Sequence, residues 1–167
     1  MQENPNNKAI LLSLPNDKRV LENFGILAIR HGQLDGMLKM LLRDLADISI
    51  EEVLHATHYT NSSELRKRIQ KIGKQRLGEG QALLKLQAFL GRADELTEKR
   101  NEFIHSTWGH ELDGEPVVRK SGNNWQPAPD AETLDVLNQS IFNLISEIRD
   151  ARFGGFIEKA LAKRDFS

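Results

Sequence analysis

The chain has 167 residues, with 23 Lys and Arg against 24 Asp and Glu, and no cysteine. Its length suits one domain with a sizeable core, and 39% hydrophobic and 28% charged residues are globular rather than disordered proportions. Absent cysteine excludes disulfides, thiolate metal sites and thiol nucleophiles, and a net charge of −1 excludes a uniformly basic nucleic-acid binder while permitting a segregated patch.

Residues 1–15 place Pro5 and Pro15 among polar side chains and read as an irregular N-terminal segment. MQENPNNKAI lacks the basic flank and apolar block of a signal peptide, and no apolar run nears the ~20 residues of a membrane span. A cytoplasmic protein with no membrane partner is expected. Asn16 and Asp17 offer side-chain oxygens to unpaired amides and so open a first helix. Val20, Phe24, Leu27, His31, Leu34, Leu38, Leu41 and Leu45 then recur in steps of four and three, one apolar stripe on a helix of about 30 residues. His31 interrupts that stripe and reads as a core histidine with an auxiliary site role behind it. Asp35, one turn on, is available as an internal partner of Arg100 or His105. Gly25, Gly32 and Gly36 permit close approach of another helix, within the subunit or across a dimer.

Ser49 and Glu52 form a capping-box pattern for a short helix over Ser49–His58. His55 and His58 have i, i+3 spacing but no third ligand in view, so no metal site is expected. A third helix starts near Ser62 or Ser63 and ends before Gly78. Its apolar face is thin (Leu65, Ile69, Ile72), and six of the 23 basic residues lie between Arg66 and Arg76. Lys67, Lys71 and Lys74 share one side of it, either a solvated face or a contact for an RNA backbone.

A fourth helix runs from about Gln81 to His105, with Leu83, Leu86, Leu90, Ala93 and Leu96 facing inward. A β-like insert follows at 107–129, where Asp113-Gly114 is a hairpin turn and Ser121–Asn124 a second turn before Trp125. Trp108 and Trp125 flank the hairpin and suit packing against the helices more than base stacking. The last long helix opens at Asp130 and carries Leu134, Leu137, Ile141, Leu144 and Ile148. Gly154-Gly155 ends or kinks it, and 154–167 forms a C-terminal extension with room for a short helix. The expected fold is a single all-α domain, a compact helical bundle with a small β-hairpin inserted late.

The end of the fourth helix carries the chemistry. Its apolar period places Arg100 on the buried face, where an unpaired guanidinium costs several kcal/mol. Arg100 therefore pairs with an acid or faces a pocket that uses a fixed positive charge. Asn101 and His105, at i and i+4, share a face, and His105 lies about 7.5 Å along the axis from Arg100.

Arg100, Asn101 and His105, in the string RNEFIHSTW, resemble the motif of the HEPN superfamily, the "higher eukaryotes and prokaryotes nucleotide-binding" domains. The likeness extends over residues 16–150 in the order of helices, and over nine residues in the motif itself. It implies a metal-independent endoribonuclease without a cofactor, of the kind found in toxin–antitoxin, phage-defence and stress systems. It also implies a homodimer in which two motif helices form one composite groove. There Arg100 holds the phosphate, Asn101 orients the His ring or donates to the phosphate, and His105 transfers protons, leaving 2′,3′-cyclic phosphate and 5′-hydroxyl ends. An antitoxin or regulatory protein is a further implied partner. One position departs from the pattern. HEPN toxins controlled by a nucleotidyltransferase carry a modified Tyr two residues after the His, and here that position is Thr107. The alternative reading is an inactive HEPN-like dimer that binds nucleotide, RNA or protein.

Overall fold

The computed structural model describes residues 9–112, 114–119 and 124–164. Six helices dominate them: α1 (Lys18–Ala46), α2 (Ile50–Ala56), α3 (Ser62–Leu77), α4 (Gln81–Ile104), α5 (Ala131–Arg152) and α6 (Phe156–Arg164). Four short strands complete the fold: β1 (Ile10–Leu12), β2 (Thr107–Glu111), β3 (Pro116–Arg119) and β4 (Trp125–Pro127). This is the expected mostly helical bundle with a small β insert ahead of the last long helix. No helix among the described residues is long and apolar enough to cross a membrane.

Local chemistry accounts for where the helices begin. Asp17 accepts from the Arg19 amide at 2.7 Å, Asn61 from Glu64 at 2.9 Å and Asp130 from Thr133 at 2.8 Å, each occupying an otherwise unpaired N–H. Ser49 and Glu52 make the reciprocal capping box of α2. The apolar stripe of α1 then lies against α5 on one side and α3 on the other. Leu27, Leu34, Leu38, Leu41 and Leu45 meet Leu134, Ile141, Leu144 and Ile148 of α5, all essentially without solvent contact. Leu65 and Ile69 of α3 and Leu86 and Ala93 of α4 close the same core. Its third and fourth helices come together tightly because Gly73 leaves the space that Leu86 fills; a Cβ there would sit 2.3 Å from a Leu86 methyl.

The N-terminal segment differs from expectation. Residues 10–12 form a strand, β1, which joins the insert's three strands in an antiparallel sheet of order β1-β2-β3-β4 rather than a lone hairpin. Leu12 pairs with Gly109 and Ile10 with Glu111. Gly109 makes the pairing possible, since a Cβ there would lie 2.8 Å from both the Ile10 side chain and the Leu11 carbonyl. A three-residue strand has too few positions to show alternation, and its partner lies nearly a hundred residues away. Of the expected turns, Asp113 and Ser121–Asn123 lie outside the described residues.

The sheet is fastened to the bundle by Trp108. Its ring meets Phe24 of α1 edge-on at 5.1 Å, and its Nε1–H donates to the Phe103 carbonyl at 3.2 Å. Trp125 instead carries the Arg119 guanidinium over its ring at 5.3 Å. At the other end, α6 turns back and buries Ile157 in the core. The intrasubunit helix contact expected at Gly25, Gly32 and Gly36 is not made: nothing lies within 4 Å of where their Cβ atoms would stand.

Candidate active site between three helices

α1 delivers His31 and Asp35, one turn apart on its polar-edged side. The N-terminus of α3, held by the Asn61 cap, delivers Ser62, Ser63 and Arg66. α4 brings Asp94, Thr97, Glu98, Arg100 and Asn101 along its last three turns. These side chains line an open cavity of about 620 Å³. Four of the expected site residues thus meet in one place: Arg100, Asn101, His31 and Asp35.

The hydrogen bonds inside it are specific. Arg100 Nη1–H donates to Asn101 Oδ1 at 2.9 Å, while the Arg100 Nε–H is buried with no acceptor. Arg100 is half-buried, because α4 nears its end and the core thins there. Asp35 is paired elsewhere than with Arg100 or His105. Its Oδ1 accepts from the Ser62 hydroxyl at 2.8 Å, and its Oδ2 lies 3.8 Å from His31 Nδ1. On the other side of the ring, His31 Nε2 lies 3.3 Å from Thr97 Oγ1. The Thr97 hydroxyl donates to the Ala93 carbonyl at 2.7 Å and accepts from Arg66 Nη1 at 3.4 Å. Arg66 also pairs with Asp94 across the cavity floor.

His31 is 8% exposed. Burial pushes its imidazole below the ordinary histidine value, Asp35 pulls it upward, and the Arg100 and Arg66 charges push it further down. Inside the cavity, Arg66 and Arg100 stand against Asp35, Asp94 and Glu98.

His105 does not line the cavity. It is the C-terminal cap of α4, exposed, with its backbone N–H on the Asn101 carbonyl at 3.0 Å. Asp94, Glu98, Asn101 and His105 follow one another in steps of four and three, so His105 extends the cavity's stripe by one turn, past its rim.

Lys67, Lys71 and Lys74 are exposed on α3. Lys67 lines a second cavity of about 330 Å³, with Gln70 and Gln87, which shares Ser63, Arg66 and Asp94 with the first. Lys74 stands 3.9 Å from Glu79. His55 and His58 are exposed, and His58 packs edge-on to Tyr59 at 4.5 Å. Among the described residues no three His, Cys, Asp or Glu side chains group as metal ligands do. Of the lining side chains named above, sequence reasoning missed Ser62, Ser63, Arg66, Asp94, Thr97 and Glu98. Helical spacing offered a signal for the last three, each three to seven positions before Asn101 on α4. None pointed to Ser62.

No protein-family model matches the chain, and neither the curated proteins nor the solved structures contain a match.

Proposed function

We propose that this chain is a HEPN-like endoribonuclease that cleaves RNA without a metal ion, acting in the cytoplasm in a toxin, phage-defence or stress response. The observation that carries the reading is the Arg100 cavity. An arginine with an unpaired, buried Nε–H sits beside Asn101 in a polar recess that adjoins the basic face of α3. A guanidinium so placed suits two phosphoryl oxygens and offsets charge gathering on phosphorus in the transition state. Lys67, Lys71 and Lys74 then meet the flanking phosphates. His105, one turn beyond the cavity, serves the site from its own chain or from a second copy. A homodimer that lays two α4 ends together makes one groove of the two rims, and an antitoxin or regulator would act by covering it.

The test is cleavage of a fluorogenic RNA by purified protein in EDTA. Arg100→Ala should lower kcat by about 10²–10³-fold at unchanged melting temperature. Wild-type protein that leaves structured and single-stranded RNA intact, with EDTA and with magnesium alike, sinks the enzyme reading. One observation favours the alternative of a silent module that binds nucleotide or RNA: His105 is exposed and outside the cavity. In that case RNA binding survives His105→Ala and weakens when Lys67 and Lys71 are reversed in charge.

A further inference from the structure

Cleavage of RNA by its own 2′-hydroxyl needs two proton transfers, one from the attacking oxygen and one to the leaving oxygen. His105, outside the cavity, supplies one. The cavity wall holds a second, His31, whose ring is clamped between two different partners.

The hydrogen-bond inventory favours one ring nitrogen as the carrier of the proton. A threonine hydroxyl has one hydrogen, and that of Thr97 is given to the Ala93 carbonyl. Thr97 Oγ1 can therefore only accept from His31, so the neutral ring carries its proton on Nε2 and its lone pair on Nδ1. Nδ1 in turn faces Asp35 Oδ2 at 3.8 Å, beyond hydrogen-bond reach, with Asp35 Oδ1 already held by Ser62. His31, whose Nδ1 has no donor, thus lines the same cavity as Arg100 and Asn101, next to a carboxylate placed to stabilise the ring once protonated.

We infer that His31 is the general base of this site, taking the proton of the RNA 2′-hydroxyl on Nδ1 while Arg100 holds the phosphate. This rests on the ribonuclease reading above. As O2′ bonds to phosphorus, its proton passes to His31 Nδ1. The P–O5′ bond breaks, and O5′ leaves with the electron pair and takes a proton from protonated His105. The products carry a 2′,3′-cyclic phosphate and a 5′-hydroxyl, and the histidines exchange protons with water to reset. The charged groups facing His31 are Asp35 of α1, Arg66 of α3 and Arg100 of α4, with Asp94 and Glu98 completing the cavity wall. Burial and the two arginines keep the ring neutral at working pH, which is the form a base requires.

The experiment is the pH–rate profile of fluorogenic RNA cleavage in EDTA for wild type, His31→Gln and Asp35→Asn, with a long-range 15N NMR spectrum of the wild-type histidines. His31→Gln keeps an amide donor for Thr97. It should lower kcat by about 10²–10⁴-fold, leave KM within a few-fold and abolish the acidic limb of the profile. Asp35→Asn removes the influence that raises the His31 pKa, so its acidic limb should move to lower pH. A purely structural role for Asp35 would leave that limb in place. The spectrum should show His31 protonated on Nε2. Cleavage by His31→Gln at the wild-type rate and pH profile overturns this inference alone, as does an Nδ1-protonated ring. RNA left intact by the wild-type protein overturns the ribonuclease reading and this inference together.

Discussion

His31 enters the folded protein as a neutral ring, and that state has a thermodynamic consequence whatever the site does. The unfolded chain takes up a proton on this histidine near 6.5, whereas the folded protein does so only at lower pH. Between those two values the unfolded state binds more protons, so stability rises with pH across the window and is lost as pH falls through it. Melting temperature should therefore drop as pH goes from 7 toward 5. His31→Gln, which cannot titrate, should flatten that part of the curve. Equal slopes in the two proteins would show that His31 carries no linked proton. Arg100 makes a parallel demand at the residue scale, since its buried Nε–H awaits an acceptor.

At the scale of elements, the cavity depends on where α3 begins. Asn61 caps that helix through the Glu64 amide, and the next residues are Ser62 and Ser63, with Arg66 one turn on. Asn61→Ala should lower stability by about 1 kcal/mol in urea unfolding, while Asn61→Asp, which keeps the acceptor, should stay close to wild type. A loss with Asp as large as with Ala would remove the cap explanation. Glycines separate two kinds of helix surface. Gly73→Ala pushes a methyl into the buried Leu86 side chain and should destabilise by about 1–2 kcal/mol despite better helix propensity. Gly32→Ala meets open space, so the same substitution there should stabilise by about 0.5–1 kcal/mol. The two unfolding midpoints should move in opposite directions.

At the scale of the whole molecule, α1 and α5 are joined by polar bonds as well as by leucines. Asn23 Nδ2–H donates to the Ala131 carbonyl at 2.9 Å, and Asn138 Nδ2–H reaches the Asn23 carbonyl at 3.1 Å. Farther along the same seam, Arg152 Nε–H donates to Asp44 Oδ2 at 2.6 Å, with the arginine side chain only 5% exposed. Such groups fix the register of two long helices, because any slip leaves them buried and unpaired. Asp44→Ala strips the partner from a buried guanidinium and should cost about 3 kcal/mol in chemical denaturation. A loss below 1 kcal/mol would mean the charge reaches solvent.

The long helices were legible because they are written in neighbouring residues: a three-and-four apolar period throughout, a capping side chain ahead of α1, α3 and α5, and glycine beyond α3 and α5. Leu27 to Leu45 announce α1 by that period, and Ser49 with Glu52 announce α2. The strand at 10–12 was not legible, since three residues hold no period and the partner strand follows the fourth helix. Within the candidate site, the sequence by itself determined that Arg100 and Asn101 share the end of a helix, and that His31 lies on a buried stripe. Only the tertiary structure decided that His31, Asp35, Ser62, Arg66 and Thr97 line one cavity with Arg100 while His105 stays outside it. The physical reason is range: periodicity and capping act within a few residues, but a cavity is made by the crossing of three helices, and that crossing is set by side-chain packing far apart in the chain.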